Sequence, residues 1–71
     1  MADLNRLLNE LTHKYLDVRS RALFLRHNCR LVEELDDCYM AFGVQEPNLS
    51  DLTTFSSLIG KLKIKLSYYP N

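Results

Sequence analysis

Apolar positions in the first half of the chain recur on a seven-residue repeat. One register reads Leu4, Leu11, Val18, Leu25, Val32 and Tyr39, and the interleaved one reads Leu8, Tyr15, Ala22, Cys29 and then Asp36. Spacings that alternate between four and three residues are the mark of a helical seam. Asp3 has the short acceptor side chain of an N-cap. No Gly or Pro interrupts the run before Gly43. The pattern therefore predicts one long helix over about residues 3–42, roughly 60 Å at 1.5 Å per residue. Leu16, Leu23, Phe24, Leu31, Leu35 and Cys38 lie off the seam. They widen the apolar surface beyond the narrow stripe of a two-chain coiled coil and point to a bundle with more than one neighbour.

Gly43 can supply a left-handed helix stop, and Pro47 lies in a polar stretch, so residues 43–50 read as a loop. Asn48 or Ser50 can cap a second helix, with Asp51 in its first turn where the helix dipole favours an acid. A second seam follows at Leu52, Phe55, Ile59, Leu62, Leu66 and Tyr69, which predicts helix over about residues 51–67. A competing pattern overlaps its end. Leu62, Ile64, Leu66 and Tyr68 alternate with Lys61, Lys63, Lys65 and Ser67, the period of a half-buried strand, with Gly60 as the break before it.

The expected architecture is all-α: a long helix and a shorter one in an antiparallel hairpin, assembling with a partner into a coiled-coil-like bundle. Val32, Leu35, Tyr39, Phe42, Leu52, Phe55, Ile59 and Leu62 would form the hairpin core. A second helix of this length covers roughly 25 Å and reaches back only to about Arg26. The earlier seam positions, Leu4, Leu8, Leu11, Tyr15, Val18, Ala22 and Leu25, would then be left for a partner chain. Full burial of each larger side chain is worth about 1.5–3 kcal/mol, so an uncovered stripe of this kind marks an interface. A symmetric homodimer or higher homo-oligomer is the simplest assembly, and a helical hetero-partner is the alternative.

The charges sharpen that picture. The 71 residues carry no net charge, yet the charges come in blocks. Residues 1–32 hold six Lys/Arg against three Asp/Glu, residues 33–51 hold six acids and no base, and residues 52–71 hold three Lys and no acid. In the hairpin, Asp36 and Asp37 would meet Lys61 and Lys63. A neutral total gives no support to a nucleic-acid or anionic-membrane partner. The segment from Arg19 to Arg30 is basic, with Phe24 inside it, which makes nucleic-acid binding the rival reading.

Little else in the sequence carries chemistry. Cys29 and Cys38 are half a turn out of phase on one helix, too few and too far apart for a disulfide or a metal site. His13 and His27 fall on its outer face with no nucleophile placed beside them. The acidic run Glu33, Glu34, Asp36 and Asp37 has no cleft to separate its pKa values. No catalytic residue, metal or cofactor is expected. No stretch is long and apolar enough to span a bilayer, and the thiols fit a reducing cytoplasm or nucleus. The chain is short enough to be one domain, and it could be the N-terminal piece of a longer protein. Its work would be protein–protein interaction, as an oligomerisation, adaptor or scaffold subunit.

Overall fold

A computed structural model describes residues 3–27 and 29–69. Three helices follow one another: α1 over Leu4–Phe24, α2 over Arg30–Val44 and α3 over Leu49–Leu66. The expected long helix over 3–42 is therefore two helices joined by residues 25–29 (Asn28 lies outside the described residues). The loop expected at 43–50 shrinks to 45–48, and the second predicted helix begins two positions earlier than expected and ends at Leu66. The strand pattern over 61–69 is not taken up.

The break is a local motif built without glycine. The Arg26 N–H bonds to the Leu23 carbonyl at 3.1 Å, and the His27 N–H reaches back to the Ala22 carbonyl at 2.8 Å. These two bonds close the end of α1 in the Schellman pattern, which needs a left-handed residue between them. Arg26 fills that place with φ 55°. A side chain there costs about 1–2 kcal/mol relative to a right-handed conformation. The helix that follows has a weak start, for Cys29 stands at the N-cap position of α2 and makes no side-chain capping bond.

The gain lies in what the turn brings together. With the chain reversed at residues 25–29 and again at 45–48, α1 and α3 run parallel and α2 runs antiparallel to both. Leu11, Tyr15, Val18 and Ala22 of α1 are buried with Leu35 of α2 and Leu52, Phe55, Ile59, Leu62 and Leu66 of α3. Leu4, Leu8 and Leu25 are half-buried against this core. The stripe assigned above to a partner chain is thus covered by α3 of the same chain. The hairpin-core positions Leu35, Leu52, Phe55, Ile59 and Leu62 lie in the core, with Val32 and Phe42 packed on its edge. Tyr39 is more exposed than expected and lies over Tyr15 of α1, ring centroids 5.0 Å apart. Phe55 joins the three helices, with its ring also 5.5 Å from Tyr15 and 5.1 Å from Phe42.

The second connection is closed locally. Asn48 Oδ1 accepts from the Asp51 N–H at 2.8 Å, while Asp51 Oδ2 accepts from the Asn48 N–H at 3.0 Å. This reciprocal pair satisfies two of the otherwise unpaired groups at the start of α3. Pro47 is buried beneath it. Gly43 is not the stop, since α2 continues to Val44 and no glycine has positive φ. Asp3 caps α1, accepting from the Arg6 N–H at 3.2 Å.

Candidate interaction site

The polar contacts between helices gather on the α1–α2 side. Tyr15 Oη donates to Asp36 Oδ1, and Arg19 Nε donates to the same oxygen at 3.0 Å. Asp36, expected to meet a lysine of α3, is instead held by two donors from α1. Burial, the Asp36 hydrogen bond and the Asp36 charge together push the Tyr15 phenol up to about 12. The same hydrogen bond and charge raise the Arg19 guanidinium further above its ordinary value. Both groups keep their protons at any physiological pH. The set is a brace between helices.

His27 is half-buried in the α1–α2 turn, where an outer-face position was expected. Its Nδ1 lies 2.6 Å from Tyr69 Oη, and the two rings meet edge to face at 5.1 Å. The end of α1 is thereby tied to the end of α3. His13 is exposed midway along α1, and Phe24 at 83% and Tyr68 at 82% are exposed on the end of the bundle where α1 and α3 both finish. Cys29 and Cys38 are free and half-buried on separate parts of α2. Burial first, and then the Asp51 charge, raise the Cys38 thiol above its ordinary value, which disfavours the reactive thiolate. Among the described residues no cluster of His, Cys, Asp or Glu is gathered to hold a metal ion.

The Arg19–Arg30 segment is divided between α1, the turn and the start of α2. Arg19 is engaged with Asp36, Arg26 sits in the turn, and Arg30 begins α2. Recognition of a nucleic-acid backbone by a helix needs its cations aligned along one side, and the break at 25–29 separates these.

A concavity runs between α1 and α3. It has a volume of about 540 Å³, with Leu11, Val18, Ile59 and Leu66 along its floor. Lys14, Asp17 and Arg21 line it from α1, and Ser56, Gly60, Lys63 and Ser67 from α3. A smaller depression continues it toward Leu7 and Leu52, sharing Leu11 and Ser56. Gly60 sits mid-helix, where glycine costs about 1 kcal/mol relative to alanine. A Cβ placed on Gly60 would meet no atom within 4 Å, so the packing of this chain does not call for a glycine there. Two positions assigned to a partner surface from the sequence, Leu11 and Val18, line this groove. Its other half comes from α3, and the parallel pairing that creates it depends on the break after Phe24. The available hint is Gly60 inside the predicted second helix, with small residues on the same face at Ser56 and Ser67; in the sequence pattern Gly60 enters only as the break of the competing strand reading.

The outer side of α2 carries another exposed surface. Glu33, Asp37, Met40, Ala41 and Val44 are exposed and recur at helical spacing along one face. Met40 is 73% and Val44 91% exposed, although both are large and apolar. No helix among the described residues is long and apolar enough to cross a membrane. Comparison of the chain with family models, curated proteins and solved structures finds no match.

Proposed function

We propose that this chain is a non-enzymatic protein–protein interaction module, a small adaptor or oligomerisation unit that takes a helix of another chain into the groove between α1 and α3. The observation that supports this reading most is the groove itself, a concavity lined by apolar side chains between α1 and α3, beside a glycine that internal packing does not require. Glycine at a helix surface lets another backbone approach closely. The floor favours an amphipathic helix, since that element offers an apolar stripe of matching width. Lys14 and Lys63 on the rim, against the single acid Asp17, favour acidic residues beside the stripe. Bound this way, the module and its guest helix make four helices around a shared core, the assembly that the wide apolar surface of the sequence calls for.

The test is a titration of the isotope-labelled protein with a set of helix-forming acidic amphipathic peptides, followed by amide chemical shifts. The expected result is shifts at Leu11, Val18, Gly60 and Lys63 that are lost in Gly60→Leu, a variant that fills the groove with a good helix former. No shifts with any peptide, or shifts equal in the variant, would overturn the reading.

A further inference from the structure

We infer that the guest helix is α2 of a second copy of this chain, whose outer face docks in the α1–α3 groove so that copies add head to tail. The inference rests on the proposed groove function and names its occupant. Charge complementarity carries it. Lys14 and Lys63 lie around the groove, while Glu33 and Asp37 lie on the exposed face of α2 and Met40 and Val44 continue it as apolar side chains.

The two surfaces also match in length and order. From Glu33 to Val44 the α2 face spans roughly 16 Å at 1.5 Å per residue, and the groove wall from Leu11 to Arg21 spans roughly 15 Å. Lys63 stands toward one end of the groove. The depression bounded by Leu7 and Leu52 opens at the other. With Glu33 and Asp37 at the cationic end, Met40 and Val44 fall over the apolar end. The docked helix then runs antiparallel to α1 and α3, the sense in which the chain's own α2 already runs. Ala41, the small residue between the two apolar ones, suits close approach beside Gly60. Asp17 is the one acid on the rim, and the cations outnumber it.

No residue of α2 lines the groove, so the two complementary surfaces are different parts of each molecule. Such a contact is heterologous and does not close on itself by pairing. It yields chains of copies or a ring, and a pair of copies still has one groove and one α2 face unused.

The experiment is light scattering after gel filtration across a wide concentration range, on the whole chain and on two variants with helicity checked by circular dichroism. Gly60→Leu fills the groove and keeps the α2 face. Asp37→Lys combined with Val44→Lys, both exposed, reverses the α2 face and keeps the groove. Lys63→Glu serves as a second groove variant if Gly60→Leu does not fold. The expected result is a wild-type mass that climbs past two chains with concentration, monomers for each variant alone, and a mass of two chains that goes no higher when the variants are mixed. A monomeric wild type, a variant that still assembles alone, or a mixture that stays monomeric would each overturn the inference. Peptide binding by a monomeric wild type would leave the groove reading standing while this one falls, and loss of both would remove the two together.

Discussion

The two connections between helices are built on opposite plans. At residues 45–48 the stabilising bonds are local: Asn48 and Asp51 satisfy each other's backbone across three positions, over a buried proline. At residues 25–29 the local terms are poor, with an arginine in the left-handed region and a cysteine that does not cap. That turn is held from a distance, by His27 against Tyr69 and by Asp36 against Tyr15 and Arg19. One turn is stabilised by bonds between near neighbours in sequence. The other is imposed by the burial that follows from it.

Four substitutions test this contrast. The largest effect is expected from Arg26→Pro, which removes the N–H bonded to Leu23 and cannot adopt positive φ. A loss of about 3 kcal/mol is expected in urea denaturation, and wild-type stability would show that the left-handed turn is dispensable. Next, Tyr15→Phe removes one donor from Asp36 while Arg19 remains, and a loss of about 1–2 kcal/mol is expected at neutral pH. The same variant carries a pH signature. Tyr15 titrates near 10.0 unfolded and about 12 folded, so its contribution is complete below pH 10. Above that pH the unfolded chain loses the proton first, and the contribution drains away up to about pH 12. Wild type should lose stability faster than Tyr15→Phe across that interval, and parallel curves would show that the phenol is not stabilised by its surroundings.

Asn48→Ala should cost about 1 kcal/mol, by loss of the cap. Because that connection is local, amide hydrogen exchange should accelerate first in the opening turn of α3; uniform acceleration would show that the cap is coupled to the whole bundle. The smallest effect is a gain. Arg26→Gly relieves the left-handed conformation but loosens the unfolded chain, leaving about 0.5–1 kcal/mol of added stability. A thermal melt no higher than wild type would mean that the Arg26 side chain makes up the difference.

The sequence made the second half of the molecule readable, and the contrast between the turns explains why. Leu52, Phe55, Ile59, Leu62 and Leu66 follow the helical period and are all buried. Asn48 is a capping residue by type and caps in fact. The seam of α1 was also readable as a seam. What it faces was not, because Leu25 and Cys29 carry the seven-residue repeat straight through the break and no glycine marks it. Periodicity reports which residues want burial and says nothing of which surface buries them. Asp36 shows the same limit: its seam position was visible, but the donors come from the helix that the break folds back onto it. The groove inherits both difficulties, since it consists of one wall from each of two helices whose pairing depends on that turn.

The parallel pairing of α1 with α3 has a consequence for the order of assembly. Helices α2 and α3 meet through a short, capped loop, whereas the bond from His27 to Tyr69 spans 42 positions. Contacts so remote in sequence require the larger closure of the chain, so α1 is expected to dock last and to leave first. The groove exists only while α1 is docked. A guest helix bound there as proposed would bind the closed form and exclude the opened one, and its binding energy would be returned as protection of α1. Recruitment of the proposed guest and completion of the fold would then be one equilibrium.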